Sequence, residues 1–475
     1  MKSDKVNKAV KIIALSVSVF LAGCAVGPDF KEPVVETPED YRLETKTVEE
    51  TVNLIWWELF DDPVLFTLVS TALEKNRDLK IAVARIDQAI ATLGFTRADL
   101  YPSLDVQGGA QWGTFLGGGR SQTTDSSAFL VFPLSWEIDF WGKFRRANEA
   151  ARAELLASEY GLRTVQISLI STVVGAYYQL LDFHQRLAVS ESTLDSRLKS
   201  LEIIQARFDK GIIPELDLNQ AQIQKEIAAS AIPRYERSIA KTENALSVLV
   251  GELPHQIETG QDLKGQTAPP DIPTGLPSTL LERRPDIVEA KYLLKAQTEN
   301  IGVAEALRFP AISLTGALGV ASTDIGSITS EGGAWSVGGT VLGPIFNFNK
   351  NVRRVDIEKA RTKQVLYFYE NAVLTAFREV EDALVEIETY KRQIRSVESR
   401  RDAAANANKL SNERYDKGVS SFLEVLDTER SLFQVELELS ELTQQYLNSY
   451  VNLYKALGGG WVTKEEMELA ETPPQ

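Results

Sequence analysis

The chain has 475 residues, a formal net charge of −15, 44% hydrophobic and 25% charged residues. That is enough for two or three folded domains, and so acidic a chain offers no cationic surface to release counterions from phosphates, which argues against a nucleic-acid binder. Its single cysteine, Cys24, excludes an intrachain disulfide, and His184 and His255 lie far apart without metal-ligand spacing around either.

The chain opens as a secretory signal, residues 1–23: Lys2, Lys5, Lys8 and Lys11 precede an apolar run from Ile12 to Ala22. That run is about half of the ~20 residues needed to span a bilayer as a helix. It ends in Leu21-Ala22-Gly23-Cys24, which resembles a bacterial lipobox. Cys24 would then carry acyl chains and start the mature chain, and more than one acyl chain is needed for stable anchoring. Ala25 follows it, so the aspartate that usually retains lipoproteins at the inner membrane is absent and sorting to the outer membrane is permitted. Residues 24–62, with Pro28, Pro33 and Pro38, read as a lipidated, extended segment.

Residues 63–253 form a first repeat. A helix leads into a candidate hairpin, 103–140, whose two arms alternate with period two. Leu104, Val106, Ala110 and Trp112 alternate with polar residues, and Leu130, Phe132, Leu134, Trp136, Ile138 and Phe140 share one face. Each arm exceeds the 9–11 residues of a membrane-spanning strand, and Gly117-Gly118-Gly119 suits the exposed turn between them. A long helix, 143–210, then carries a heptad seam through Val173, Leu180, Leu187, Ser190, Leu194, Arg197, Leu201, Ile204 and Phe208. Gly211 is its C-cap. A further helix, 215–250, is expected to break or bend near Pro233.

A Pro-rich connector, 254–284, leads to a second repeat, 285–458, that writes the same unit again. Asp78 pairs with Asp286, Gly94 with Gly302 and Pro102 with Pro310, each 208 apart, and Arg207–Gly211 matches Arg414–Gly418, 207 apart. The second repeat contains a helix, a hairpin at 311–348 whose return arm runs from about Trp335 to Phe348, a long helix at 350–417 ending at Gly418, and a last helix at 421–457. Val380, Ala383, Leu384, Ile387, Tyr390, Ile394, Val397 and Ala404 continue the heptad register. Residues 459–475 form a tail.

Four candidate membrane strands per chain cannot close a barrel, and an open sheet would leave backbone groups unpaired in hydrocarbon. Two, three or four chains must therefore pool strands; closure is demanded, and its number is left open by the residues.

Trp56-Trp57, Phe60-Asp61-Asp62-Pro63, Asn76-Arg77-Asp78-Leu79, Arg283-Arg284-Pro285-Asp286-Ile287, Ile301-Gly302-Val303-Ala304, Phe309-Pro310 and Gly343-Pro344 together resemble the lipoprotein branch of the TolC-type outer-membrane efflux channels. The resemblance covers nearly the whole chain. It implies a helix-rich membrane protein and a homotrimer: a twelve-stranded transmembrane β-barrel continued by a twelve-helix coiled-coil periplasmic α-barrel, with an equatorial domain. It implies a lipid-anchored outer-membrane exit duct that docks onto a periplasmic adaptor and an inner-membrane pump of the resistance–nodulation–division class, with no cofactor besides the lipid on Cys24. A type I secretion or metal-ion efflux channel of the same fold is the alternative. It also places a periplasmic constriction at Leu423 and Asp427. Arg430, one turn further on, is then placed to pair with a carboxylate such as Asp217 on the paired turn, and the Lys-Gly reversals at Gly211 and Gly418 read as the adaptor-facing tips. No phosphate loop, Cys/His cluster or nucleophile elbow points to an enzyme.

Overall fold

The computed structural model describes residues 25–35, 37–38, 41–43, 62–115, 123–269, 280–322 and 333–459. Cys24 and the signal segment, Trp56, Trp57, Phe60 and Asp61, the Gly117–Gly119 turn, Pro270, Pro273 and Pro277 of the connector, and residues 460–475 lie outside the described residues. The element order is α1 (Pro63–Lys75), α2 (Arg77–Ala98), β1 (Ser103–Leu104), β2 (Gln107–Phe115), β3 (Thr123–Ile138), α3 (Lys143–Asp209), α4 (Glu215–Leu249), α5 (Leu280–Arg283), α6 (Pro285–Ala306), β4 (Ala311–Ser322), β5 (Gly333–Leu342), α7 (Lys350–Asp416) and α8 (Phe422–Ala456). The duplication is literal in the helices: α3 and α7 are each 67 residues long, and α4 and α8 are each 35.

Contacts divide the chain into two compact units. The first, residues 1–34, 84–159 and 289–370, holds the sheet. β1 and β2 lie along one edge of β3, which pairs with β4, which pairs with β5, all antiparallel. Residues opposite one another share a face, and the register sorts them cleanly. Leu134 faces Leu104, Phe132 faces Leu318, Trp136 faces Leu314, Leu318 faces Trp335 and Ile312 faces Val341. On the other face Ser103 meets Ser135, Glu137 meets Ser313 and Ser313 meets Thr340. Phe129 is an aromatic on this second face, and its ring covers Gly109, where a Cβ would lie 2.7 Å from it. The apolar face stays open: Val106, Trp112, Phe132, Leu318, Trp335 and Val337 are all exposed.

The strands differ from the sequence reading at their ends. β3 stops at Ile138 rather than Phe140, because Asp139 turns to cap α3, accepting from the Phe144 and Arg145 amides at 3.0 and 2.9 Å. β5 stops at Leu342, not Phe348: Gly343-Pro344 follows, and Phe348 and Asn349 adopt positive φ of 49° and 63°, which no strand tolerates. In the same unit the N-terminal segment is tied down. Val26 N–H donates to the Trp141 carbonyl at 3.1 Å, and the buried Arg146 donates to Glu299 at 2.7 Å and Asp29 at 2.8 Å.

The second unit, residues 35–83, 160–288 and 371–475, is helical. Its core joins Leu65 and Val69 of α1, Val173, Tyr177 and Leu180 of α3, Leu246 of α4 and Leu447 and Val451 of α8. A stretch of α3 is apolar enough to cross a membrane by composition, yet half of it is buried within the chain; here it serves as core. The seam positions Val173, Leu180, Ser190, Arg197 and Ile204 are buried, as are Val380, Ala383 and Val397 of α7. α4 runs through Pro233 without the break that was one of the two outcomes expected there.

Two motifs shared by the repeats do the same work. Asn76 Nδ2 donates to the Leu249 carbonyl at 2.8 Å, and Arg284 Nη1 donates to the Ala456 carbonyl at 3.0 Å. Each satisfies a carbonyl at the C-terminus of its repeat's last helix, where intrahelical partners run out. Asp62 is a hub: it caps α1 at Val64 and Leu65 and accepts from Tyr177 Oη at 2.8 Å and Gln266 Nε2 at 2.7 Å.

Candidate functional site

In the second unit, a duplicated feature that exposes aliphatic side chains is the pair of helix reversals. α3 ends where Gly211 takes φ +69°, its N–H reaching the Phe208 carbonyl at 2.7 Å and that of Ile212 the Arg207 carbonyl at 3.0 Å. α7 ends in the same way: Gly418 takes φ +72°, with Gly418 to Tyr415 at 2.9 Å and Val419 to Arg414 at 3.0 Å. A left-handed residue at this position closes the helix and favours glycine.

The two reversals are packed together. Ile204 of α3, Ala221 of α4, and Phe422, Val425 and Leu426 of α8 form one small core, flanked by Leu201, Ile213, Leu218 and Tyr415. The Arg207 guanidinium lies 4.7 Å from the Tyr415 ring centroid and pairs with Asp416 at 3.4 Å. Arg414 pairs with Glu424 at 3.1 Å. α8 therefore buries Phe422, Val425 and Leu426 and turns Leu423 outward, 63% exposed.

Asp427, one turn further on, shares that outward face and is also exposed. Arg430 does not reach Asp217: within the chain Arg430 Nη2 donates to Asp427 Oδ1 at 2.6 Å, because the two lie three residues apart on one helix. Asp217, half-buried in the first turn of α4, appears in no ion pair among the described residues.

One residue escaped the sequence reading. Leu216 sits 207 residues before Leu423 at the matching place on α4 and is equally exposed, at 63%. The repeat offset pointed to it. The same offset relates the exposed Ile212 and Val419 beside the two glycines. Each reversal thus presents the same pair of uncovered aliphatic side chains.

Among the described residues no group of three or more His, Cys, Asp or Glu side chains is placed to hold a metal. The arrangement is one of exposed leucines and carboxylates at helix ends, chemistry that can narrow and polarise a passage.

The family model for outer membrane efflux proteins matches residues 68–252 and 276–459, one match on each repeat. The chain belongs to the outer membrane efflux protein family. This efflux protein is 33% identical over 458 residues to the cation efflux system protein CusC of Escherichia coli K12, covering 95% of this chain and 99% of that one. It is 34% identical over 468 residues to the solvent efflux pump outer membrane protein SrpC of Pseudomonas putida, covering 96% and 98%. The crystal structure of the CmeC outer membrane channel of Campylobacter jejuni superposes with a TM-score of 0.88 at 27% identity, over 94% of this chain and 97% of that one. The efflux protein therefore works in the outer membrane, in transport, with the helix-rich tunnel fold of the TolC-type channels.

Proposed function

We propose that three copies of this chain form a closed duct through the outer membrane and that solutes delivered from the periplasm leave by it passively. One observation carries the reading: a sheet with one continuous apolar face and two unpaired edges, β1/β2 and β5, feeds directly into two 67-residue helices. Exposed apolar surface on that scale has to be covered, and lipid covers it on a barrel. Unpaired edges in hydrocarbon cost several kcal/mol per group, so neighbouring chains supply the missing partners. Three chains give twelve strands, the number the resemblance implies. β4 has 12 residues; at about 3.3 Å per residue and a tilt near 45°, it spans a hydrocarbon core.

Acyl chains on Cys24 hold the mature N-terminus to the membrane, no further cofactor is needed, and no catalysis is involved. At the far end the tips at Gly211 and Gly418 receive a periplasmic adaptor, whose partner is an inner-membrane pump of the resistance–nodulation–division class. The exposed Leu423 and Asp427 from three chains meet near the axis as the constriction, leucines drying the passage and carboxylates favouring cations.

The cargo is set by the pump. SrpC is named for solvents and CusC for cations, so one duct architecture serves chemically unlike loads. Met467 is the one methionine outside the signal segment, which favours organic compounds over soft metals as the load here; the name of CusC keeps metal-ion efflux as the second reading. Single-channel recording in planar bilayers tests the constriction. The Leu423→Ala, Asp427→Ala double variant should conduct more than the parent and lose cation preference; parental conductance with parental selectivity would place the constriction elsewhere.

A further inference from the structure

Where the sheet runs into the helices, the first unit holds a cleft of about 480 Å³. Three strand residues that line it, Glu137, Ala311 and Leu342, stand on the polar face of the sheet: Glu137 meets Ser313, and Ala311, two residues before Ser313, meets Leu342. The cleft therefore lies on the side away from the apolar face. Part of its wall is aromatic and fixed. Trp141 stacks on Phe309 with centroids 4.4 Å apart and planes 18° apart, and its Nε1 donates to the Pro310 carbonyl at 2.8 Å.

The same cleft carries a surplus of cations. Of its charged residues, Lys143 is engaged by Glu137 at 2.7 Å, and Asp139 by Arg145 at 3.1 Å and by the cap of α3. Lys350 and Arg354 also line it, and among the described residues neither has an ion-pair partner. The two repeats differ at this point. Arg146, 208 residues before Arg354, is buried and held by Glu299 and Asp29; Arg354 meets no such acids among the described residues. Asp139, 208 residues before Asn347, is a carboxylate where the second repeat has an amide. The second repeat thus keeps the arginine and lacks the anions. Uncompensated cations beside an aromatic wall suit an amphiphile of opposite charge: its apolar body covers the rings, and its anionic group gains charge-assisted hydrogen bonds. The volume suits one drug-sized molecule.

We propose that this cleft binds organic anions, molecules that join a carboxylate or sulfonate to a flat apolar body. Lys350 and Arg354 hold the anionic group, and Trp141 and Phe309 hold the body. That such a solute meets the cleft on its way through the duct rests on the proposed function above; the site itself does not. The cleft belongs to the first unit and Asp427 to the second, so the two are tested apart.

The test is calorimetric titration of the detergent-solubilised full-length protein with naphthalenesulfonate, against a micelle blank, with inorganic sulfate and naphthalenemethylamine as the contrasting probes. Migration as an intact oligomer in mild detergent checks assembly. The parent should bind naphthalenesulfonate, and Lys350→Gln with Arg354→Gln should weaken binding about tenfold. Lys350→Arg should retain it, as should Arg353→Gln, whose arginine pairs with Asp356 instead. The amine and inorganic sulfate should bind far more weakly. No binding by the parent, parental affinity in the double variant, or sulfate or the amine binding as tightly as naphthalenesulfonate overturns the site. If the double variant fails to assemble, Lys350→Gln and Arg354→Gln are titrated singly; each should weaken binding about threefold, and parental affinity in both overturns the site. In planar bilayers naphthalenesulfonate should interrupt the parental current, with shorter interruptions in the double variant. Binding in detergent without a conducting channel would keep the site and overturn the duct. Binding with an uninterrupted current would keep the site and overturn its place on the path, and a conducting channel that binds no probe would keep the duct and overturn the site.

Discussion

At the scale of single residues, polar side chains fix where helix ends go. Asp62, in the motif Phe60-Asp61-Asp62-Pro63, gathers four donors, from the Val64 and Leu65 amides, Tyr177 and Gln266. Removing a buried acceptor leaves those donors unmet, at roughly 1–3 kcal/mol for each group left without an alternative. Asp62→Ala should lower stability by about 2–4 kcal/mol in denaturant unfolding of the detergent-solubilised protein, and Asp62→Asn by less, since the amide oxygen still caps α1. No spacing in the sequence tied Asp62 to Tyr177 or Gln266, because those partners arrive from another helix and from the connector. The proposed lipidation of Cys24, by contrast, rests on local context alone, the end of a short apolar run after four lysines. Mass spectrometry of the mature N-terminus should find Cys24 acylated. Cys24→Ser should loosen anchoring while oligomers still form, because the sheet also holds the bilayer; an unmodified Cys24 in the parent would end the assignment.

At the scale of elements, the period of the pattern did most of the predicting, and its failures are instructive. Alternation located β2, β3 and β4, since a pleated strand sends successive side chains to opposite faces. It could not locate the end of β5, where the glycine-rich stretch from Gly333 carries few side chains to alternate. At Pro233 the helix does not break: a proline removes one helix hydrogen bond, and the tertiary packing of α4 through Ala228, Tyr235 and Ile239 outweighs that loss. The two faces of the sheet should tolerate charge unequally. Phe132→Lys, on the apolar face, should impair membrane assembly at a cost of about 2–4 kcal/mol near the bilayer centre, read as loss of heat-modifiable protein in outer-membrane fractions. Ser313→Lys, on the opposite face, should leave assembly intact. At the reversals, cysteines at Lys210 or Ser420 should cross-link to the adaptor. Cross-links formed only near the 254–284 connector would argue that the tips do not dock.

At the scale of the whole molecule, the single chain is chemically unfinished. Among the described residues its sheet pairs β1 and β2 with β3, and β5 with β4, and no further strand lies on the outer edge of either. Antiparallel order continues if β5 of one copy meets β2 of the next. A scan of single cysteines along Gln107–Gln111 against Ser336–Thr340 should therefore yield disulfides between copies in one register, resolved as dimers and trimers on non-reducing gels. Cross-links beyond trimer would overturn the number three.

The sequence by itself determined the duplication, the helix lengths to within a residue or two, the strand faces and the glycine reversals. Each of these is set by local periodicity or by a backbone conformation that few residues adopt. Only the tertiary structure decided which outward positions stay uncovered. Leu423 and Leu426 look alike in sequence, yet Leu426 packs with Ile204 while Leu423 faces out. Within one chain Arg430 pairs with Asp427, three residues back on the same helix, a contact the sequence reading did not single out. The burial of Arg197 against Phe433 was likewise invisible in the heptad pattern, which shows that a position is a seam but not what crosses it. Which helix lies opposite which is a long-range outcome of packing, and no local pattern encodes it.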